Sequence, residues 1–203
     1  VRNVNARLAR LAKGYPVASG PPGGSYERLA KSLAADAQLQ GVRLTVLPTA
    51  GSVENVALLR QRTAELAFIQ ADVAAQAAAG KGAFARAGPY DGLHALLALF
   101  PEQMHIVVRR DDRAKKLSDL AGRRVSLGLA ASGTRVTAIT LLTAANVSVA
   151  EPPGTDALDP RAALVALKTG GLDAVFLVGA VPFLPVVEIA GVLEGFVVDA
   201  RRI

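Results

Sequence analysis

The chain repeats one pattern of apolar and polar positions: a short apolar run, a turn of small and polar residues, and then the apolar spacing of a helix. The apolar runs occupy residues 15–19, 42–47 and 124–128, and the turns occupy residues 20–26, 49–55 and 131–134. This order is typical of strand–turn–helix units in an α/β protein. Such turns lie at the carboxyl ends of strands, where the free N–H groups of helix N-termini face a ligand crevice. The repeated pattern therefore predicts a binding cleft.

The same pattern, followed along the chain, predicts two similar halves. For the first half it predicts strands at residues 15–19, 42–47, 65–69, 93–100 and 103–109, helices at 25–37, from 52 and at 72–79, and an exposed loop at 80–92. For the second half it predicts strands at residues 124–128, 173–178 and 195–199, a short helix at 118–122, and helices at 133–145 and 160–170. Strands that alternate with helices imply parallel sheets.

Single residues are expected to set the limits of several helices. Ser52 and Asp72 are candidate caps, because their side-chain oxygens can accept from the free N–H groups of the helices that follow them. Asp159 precedes Pro160, and proline is favoured at a first helical position. Asn146 is expected to stop its helix in the left-handed conformation.

Composition disfavours several classes of function. The chain is 51% hydrophobic, which is typical of a large folded core, but only 4% aromatic and without tryptophan. Sites that stack sugars or bases on aromatic rings are therefore disfavoured. The absence of cysteine excludes zinc–thiolate sites, disulfides and thiol catalysis. His94 and His105 lie in strand-like segments without a carboxylate at metal-ligand spacing, so we expect no metal and no cofactor.

No motif for catalysis stands out. The glycine-rich turn at residues 20–24 lacks the Lys-Ser/Thr ending of a nucleotide-binding loop, and residues 128–133 lack the Gly-x-Ser-x-Gly of a hydrolase elbow. We therefore expect a binding protein rather than an enzyme. The longest apolar stretch, residues 172–193, is interrupted by charges and prolines, so it is expected to form a strand, a turn and a short helix rather than a membrane span.

The formal net charge is +6, and many of the basic residues lie between residues 109 and 124. This basic cluster has two interpretations, a phosphate-binding face or a solvated connection. Asp111, Asp112 and Asp119 are interleaved with the basic residues and weaken their field. The solvated connection is therefore favoured, and no nucleic-acid partner is expected.

Six short motifs occur in a specific order. They are Gly-Gly-Ser-Tyr at residues 23–26, Gly-Ser-Val-Glu-Asn at 51–55, Ala-Phe-Ile-Gln-Ala-Asp-Val at 67–73, Leu-Ser-Asp-Leu-Ala-Gly-Arg-Arg-Val at 117–125, Ser-Gly-Thr at 132–134 and Leu-Asp-Ala-Val-Phe at 172–176. In this order and spacing the chain resembles the TAXI-type solute receptors of tripartite ATP-independent periplasmic (TRAP) transporters, over residues 15–198. The resemblance implies a two-lobed periplasmic binding-protein fold, each lobe a mostly parallel sheet flanked by helices. It also implies that the protein, in the periplasm or otherwise outside the cytoplasm, captures a small solute and delivers it to a membrane permease.

Under this resemblance the chain divides into a basic leader at residues 1–13, a first lobe at 14–104 and a second lobe at 105–203. The leader lacks the apolar core of a signal peptide. The cleft is expected between the lobes, with a hinge near residues 105–109. Family members usually continue beyond the position of Ile203 and return to complete the first lobe. We therefore expect a partial receptor whose first lobe exposes sheet edge or apolar surface.

Seven residues in the motifs are candidate ligand contacts: Ser25, Tyr26, Ser52, Asn55, Gln70, Ser132 and Thr134. Several have a second interpretation. Ser25 and Ser52 can equally be helix caps, and Tyr26 can cover the ligand or pack in the core. Asn55 alone would be solvated, whereas beside Ser52 its amide suits a ligand. Gln70 directly follows a predicted strand and is a better contact than Asp72, which we expect to cap its helix.

The helix starts at Ser25, Ser52 and Gly133 are expected to present free N–H groups and hydroxyls to one cleft. This suits a small organic anion, either a dicarboxylate or an acidic amino acid. Glu54, Gln70 and Asp72 can instead receive an ammonium group, so an amino acid stays open. A ligand-sensing domain of a membrane-bound or cytoplasmic regulator, including a transcription-regulator effector domain, would have the same fold and also stays open. An enzyme on this fold is the third choice.

Overall fold

The computed structural model describes residues 12–188 and 193–198, together with Val4 and Leu8, and for residues 193–198 it describes the backbone. Most of the predicted leader and the chain end at residues 199–203 lie outside the described residues. The chain forms two compact units, Val1–His94 and Ala95–Ile203. The boundary expected between residues 104 and 105 falls inside the first strand of the second unit.

From residue 15 onward, the first unit contains a three-stranded sheet, and each of its strands is followed by a helix. In chain order these are β1 (Tyr15–Ala18), α1 (Ser25–Leu39), β2 (Leu44–Leu47), α2 (Ser52–Arg60), β3 (Leu66–Ala67) and α3 (Ala71–Ala79), followed by a short 3₁₀ helix, Gly82–Phe84. The strand order is β2-β1-β3, and both pairings are parallel. Each helix follows the carboxyl end of a strand, so all three helix N-termini lie at the same edge of the sheet.

One core cluster of the first unit lies between the sheet and α1. Val17 of β1, Ala30 of α1 and Phe68 form its buried centre. At the end of α3, Gly80 adopts the left-handed conformation with φ of 62°. A Cβ atom at Gly80 would lie 2.5 Å from the nitrogen of Pro89, so both the backbone conformation and the close approach require glycine.

The second unit contains a four-stranded mixed sheet. In chain order its elements are β4 (Gln103–Arg109), β5 (Val125–Ser126), α4 (Gly133–Ala144), α5 (Pro160–Lys168), β6 (Ala174–Gly179), α6 (Leu184–Val187) and β7 (Leu193–Val198), with 3₁₀ helices at Leu117–Leu120 and Thr155–Ala157. The strand order is β5-β6-β4-β7. β5 runs parallel to β6, whereas β4 is antiparallel to both β6 and β7.

Both faces of this second sheet are buried, as the alternation along β4 shows. Ile106 and Val108 pack on one face with Leu141 and Leu142 of α4. Val107 packs on the opposite face with residues of α5, including Leu164 and Leu167. Because successive side chains point to opposite faces of a strand, a strand buried on both faces is apolar at nearly every position.

Several expected helix limits are confirmed. Asp159 caps α5, since its carboxylate accepts the N–H of Ala162 at 2.9 Å, and Pro160 is the first helical residue. Asn146 has φ of 52° just beyond α4, in the left-handed conformation that was expected. The apolar stretch after residue 172 forms β6, a turn and the short helix α6, also as expected.

Three expectations are wrong. Residues 93–100 form no strand, and Leu96 and Leu97 are 79% and 75% exposed, because no strand of the described chain pairs with them. The cap positions of α2 and α3 are Gly51 and Gln70, so Ser52 and Asp72 lie within the first turns of their helices. The second sheet is not mostly parallel, because β4 runs antiparallel to both β6 and β7. Strand direction depends on pairing between distant segments, and the local sequence of β4 does not show it.

Candidate ligand-binding site

The turns that follow β1 and β2 are hydrogen-bonded to each other at the carboxyl edge of the first sheet. The N–H and hydroxyl of Ser19 both donate to the carbonyl of Leu47, at 3.0 and 2.9 Å. In return, the N–H of Thr49 donates to the carbonyl of Gly20 at 3.2 Å. The pairing of the two strands therefore continues beyond their ends, and the two turns form one surface.

Asn55, in the second turn of α2, is completely buried behind this surface. Its side-chain NH₂ donates to the carbonyls of Ser19 and Phe68 at 2.6 and 2.7 Å. Its side-chain oxygen accepts the hydroxyl of Thr49 at 2.6 Å. The sequence indicated Asn55 as a ligand contact, and that contact stays a prediction. The sequence alone did not indicate that Thr49 would bond to Asn55.

Ser52 and Gln70 are brought together by a single hydrogen bond. The hydroxyl oxygen of Ser52 accepts the backbone N–H of Gln70 at 3.0 Å, and both residues are buried. Ser52 therefore does not cap its own helix, because its oxygen serves the residue at the start of α3. The bond joins two motifs that lie 18 positions apart in the sequence.

Ser25 and Tyr26 begin α1, and Gly24 occupies the cap position before them. The hydroxyl oxygen of Ser25 is buried, and it has no hydrogen-bond partner among the described residues. Tyr26 stacks on Phe68 with ring centroids 5.5 Å apart and packs against the core of the first unit. Ser25 therefore does not cap α1, and Tyr26 contributes to the core, whether or not it also covers a ligand.

Two glutamates that were not among the seven candidate contacts hold the backbone just before α1 and α2. Glu27 accepts the N–H of Gly23 at 2.8 Å, and Glu54 accepts the N–H of Ala50 at 2.7 Å. In each case the third helical residue bonds to the residue before the cap. The hydrogen bond from Lys31 and then that from Gly23 hold the pKa of the Glu27 carboxyl below its usual value. Glutamate at this helical position is the sequence signal that identifies both residues.

In the second unit, Ser132 and Thr134 lie at the start of α4. Ser132 is the helix cap, and its hydroxyl oxygen accepts the N–H of Arg135 at 3.1 Å. The hydroxyl oxygen of Thr134 accepts the N–H of Val178 in β6 at 3.3 Å. Gly128 precedes them with φ of 95°, and a Cβ atom there would lie 3.0 Å from side-chain atoms of both Ser132 and Thr134. Glycine thus allows the turn after β5 to close on this helix start.

The hydroxyls of Ser52, Ser132 and Thr134 share one arrangement. Each oxygen accepts a backbone N–H, at 3.0, 3.1 and 3.3 Å respectively. A hydroxyl has one O–H donor in addition to its acceptor lone pairs. Among the described residues, no bond from these three O–H donors is present, so each oxygen keeps an O–H donor that its protein bond does not use.

His105 and two arginines of the second unit contact neighbouring side chains. His105 stacks on Phe183 with ring centroids 5.7 Å apart, and burial lowers the pKa of its imidazole. Within the basic cluster, Arg123 donates to Asp112 at 2.6 Å and Arg124 to Asp173 at 2.7 Å. In the part of the chain that the structure describes, no group of three or more His, Asp or Glu residues is placed to hold a metal ion.

A shallow groove of about 560 Å³ lies elsewhere in the second unit, lined by Ser118, Ala121, Gly122 and residues 145–150. It adjoins the C-terminal end of α4, whereas Ser132 and Thr134 lie at the opposite end of this helix. The groove is therefore separate from the candidate ligand contacts.

The sequence matches the model of the NMT1-like family over residues 17–197. The chain belongs to the NMT1-like family. The match spans nearly all the residues of both units, so it covers every candidate ligand contact.

Solved structures with the same fold as this NMT1-like protein include two solute-binding proteins and a regulatory domain. The arginine-, lysine-, histidine-binding protein ArtJ from Geobacillus stearothermophilus is 14% identical, with a TM-score of 0.58 over 90% of this chain and 74% of ArtJ. The aliphatic sulphonate binding protein SsuA from Escherichia coli is 15% identical, with a TM-score of 0.51 over 90% of this chain and 56% of SsuA. The CcmR regulatory domain from Synechocystis PCC6803, in complex with 2-PG, is 16% identical, with a TM-score of 0.55 over 81% of this chain and 71% of that domain.

These similarities confirm the expected α/β fold of the two-lobed binding proteins. They describe the fold, whereas the ligand must be inferred from the residues of this NMT1-like protein. Among the described residues, no helix has both the length and the apolar character needed to cross a membrane.

Proposed function

We propose that this NMT1-like protein is an extracytoplasmic solute-binding protein that captures a small organic anion and delivers it to the permease of a TRAP-type secondary transporter. Its family and the fold that it shares with ArtJ and SsuA support the general role of solute binding. The order and spacing of the six sequence motifs support the TRAP-type partner and a periplasmic location. The protein binds its solute reversibly and does not convert it.

The observation that carries the anion assignment is the set of oriented hydroxyls at helix starts. Ser52, Ser132 and Thr134 each accept a backbone N–H and keep one O–H donor. Donors of this kind suit an acceptor-only ligand group such as a carboxylate. The positive ends of α2 and α4 favour negative charge in the same places.

Ser25 adds a further donor at the start of α1. Its buried oxygen has no partner among the described residues. A buried hydroxyl without a partner costs free energy, and a ligand that bonds to it removes this cost. We propose that, in the first unit, Ser25 and Gln70 contact the ligand together with Ser52, and that Tyr26 lies beside them.

Two ligand classes fit this arrangement, dicarboxylates and acidic amino acids. The carboxylates of Glu27 and Glu54 bond to backbone N–H groups near two of the helix starts. Glu27 is already paired with Lys31 at 2.8 Å, so the carboxylate of Glu54 is the one that can balance an ammonium group. This keeps an acidic amino acid beside a dicarboxylate as a candidate. The SsuA comparison is consistent with an anion, because an aliphatic sulphonate carries a negative charge.

A ligand-sensing domain is the second candidate function. It is favoured by the fold shared with the CcmR regulatory domain, which binds 2-PG in its solved structure. The full-length gene distinguishes the two functions. A secretion signal would support transport, whereas a fused kinase or DNA-binding segment would support regulation.

Calorimetric titration tests the proposed function. The purified chain is titrated with succinate, malate, glutamate, glutamine and glucose, and the ligands are recovered and analysed by mass spectrometry. We expect saturable heats with at least one acid, none with glucose, and recovery of unchanged ligand. Binding of glucose without a response to any acid would contradict the anion assignment. Chemical conversion of a bound ligand would contradict the role as a receptor.

A further inference from the structure

One side chain joins the ends of all three strands in the first unit. Ser19 directly follows β1, Phe68 directly follows β3, and Thr49 lies two residues beyond β2. Asn55 bonds to each of them, over distances of 2.6 to 2.7 Å. Since Asn55 itself belongs to α2, these bonds connect one helix with the whole carboxyl edge of the sheet.

The partners of Asn55 fix the orientation of its amide. The Thr49 hydroxyl donates to the side-chain oxygen of Asn55, and the two acceptors on the other side are backbone carbonyls, which cannot donate. The amide therefore has one satisfactory orientation. An aspartate would turn an oxygen toward the carbonyls, and leucine would offer no donor, so neither residue can replace asparagine without leaving a buried polar group unpaired.

We propose that Asn55 is a positioning residue that holds the turns after β1, β2 and β3 as one rigid edge. Ser52 and Gln70 are adjacent to these turns, and Ser25 starts the helix that follows the turn after β1. Asn55, which is itself completely buried, therefore fixes the positions of the polar groups of these residues. For the effect on a ligand, the inference rests on the proposed function.

Amide hydrogen exchange measured by NMR on the full chain tests this proposal without a ligand. The N–H groups of Ser19, Thr49 and Gln70 are hydrogen-bonded in the three turns and report on each of them. Asn55→Leu and Thr49→Val should accelerate exchange at all three groups at least about tenfold relative to amides of α1. A buried polar group without a partner destabilises the closed state, and the resulting change in the opening equilibrium is about tenfold or more.

Val56→Ala is the matched control, because Val56 is the next residue of α2 and is buried in the core. This variant should destabilise the first unit and accelerate its amides evenly, without a selective effect on the three turns. If Asn55→Leu fails to fold, Thr49→Val decides the question, since it removes one hydrogen bond and little volume. A Thr49→Val variant that accelerates Thr49 alone would overturn the proposal.

Asn55→Asp adds a readout that a packing defect would not change. At neutral pH its carboxylate faces the carbonyls of Ser19 and Phe68 and should loosen the turns most. When the carboxyl is protonated, it can donate to one of these carbonyls. Exchange at the turns, corrected for its intrinsic pH dependence, should therefore slow again as the pH falls toward about 5. No recovery at low pH would contradict the proposed hydrogen-bonding role.

Calorimetry with succinate and glutamate then separates positioning from direct contact. If either acid binds the parent chain, Thr49→Val and Asn55→Leu should both weaken binding at least about tenfold, while Val56→Ala should not. Loss of binding in Asn55→Leu alone, with unchanged exchange at the turns, would identify a direct contact and overturn the proposal. If neither acid binds the parent chain, the proposed function fails, and the exchange results still decide whether Asn55 positions the turns.

Discussion

The hydroxyl oxygen of Ser52 accepts the backbone N–H of Gln70 at 3.0 Å, so the first residue of α2 holds the residue that precedes α3. The bond satisfies a buried N–H and leaves the O–H of Ser52 as a donor. One side chain therefore serves both the stability of the first unit and the proposed ligand contact.

Replacement of Ser52 by alanine should lower the free energy of unfolding by about 1–3 kcal/mol, because it leaves the buried N–H of Gln70 without an acceptor. Urea denaturation followed by circular dichroism measures the change. Ser32→Ala is the control, since Ser32 lies on the exposed surface of α1 and should tolerate alanine. Equal stability of Ser52→Ala and the parent chain would show that the hydrogen bond contributes little.

Ser25→Ala should separate binding from stability. The Ser25 hydroxyl has no partner among the described residues, so its removal should leave the free energy of unfolding unchanged or slightly higher. The same variant should weaken binding of a carboxylate ligand by about 1–3 kcal/mol, since one ligand hydrogen bond is lost. Calorimetry and urea denaturation on one preparation measure both effects. A stability loss with unchanged affinity would assign Ser25 a structural role only.

The confirmed sequence predictions depend on local interactions. The cap at Asp159 and the left-handed Asn146 follow from the chemistry of one residue and its immediate neighbours. The strand–turn–helix order of the first unit follows from periodicity. These features are visible in a single sequence because no distant partner is needed to form them.

The features that were missed depend on distant partners. Ser52 looked like a cap because its true partner, Gln70, lies 18 positions away. The apolar residues near Leu96 have the composition of a strand, but a strand also needs a neighbour, and none of the described strands pairs with them. The reversal of β4 likewise depends on its pairing with β6 and β7. The motif at residues 51–55 indicated Asn55 as a candidate ligand contact, but its three hydrogen-bond partners could not be predicted from spacing.

The ion pair between Asp173 and Arg124 should stabilise the second unit above pH 4. The carboxylate of Asp173 accepts from Nη2 and Nε of Arg124 at 2.7 and 3.1 Å. The hydrogen bond from the Arg124 side chain lowers the pKa of the Asp173 carboxyl. Because the folded pKa lies below the unfolded value of about 3.9, this stabilisation is complete above that value and is lost as the pH falls through the folded pKa.

Asp173→Asn should therefore lower the free energy of unfolding at neutral pH, by at most about 1 kcal/mol because the ion pair is partly exposed. In acid, this variant should lose less stability than the parent chain does. Urea denaturation across about pH 3 to 7 measures both effects. Asp36→Asn, on the exposed surface of α1, is the control and should retain the behaviour of the parent chain. An unchanged acid profile in Asp173→Asn would contradict this role.

His105 should make stability depend on pH near neutrality. Burial is the largest influence and lowers the pKa of its imidazole, against a smaller opposing effect of the hydrogen bond with the Gly179 backbone. The unfolded chain binds a proton near pH 6.5, and the folded chain binds it only at a lower pH. Stability is therefore complete above about pH 6.5 and falls as the pH decreases toward the folded pKa.

His105→Phe keeps an aromatic ring beside Phe183 and removes the titrating group. The decrease in stability between about pH 7.5 and pH 5.5 should be smaller in this variant than in the parent chain. Denaturation at both pH values measures the difference. His94→Gln changes an exposed histidine and serves as the control. An equal decrease in His105→Phe would show that another group causes the pH dependence.

The central claim is that a small organic anion binds at helix starts that carry oriented hydroxyls. An NMR titration of the isotope-labelled chain with succinate and, separately, glutamate tests it most directly. The account predicts saturable shifts of the backbone amides of Ser25, Ser52, Gln70 and Thr134 with at least one of these acids. Absence of any saturable shift, or shifts confined to the groove around residues 145–150, would contradict it.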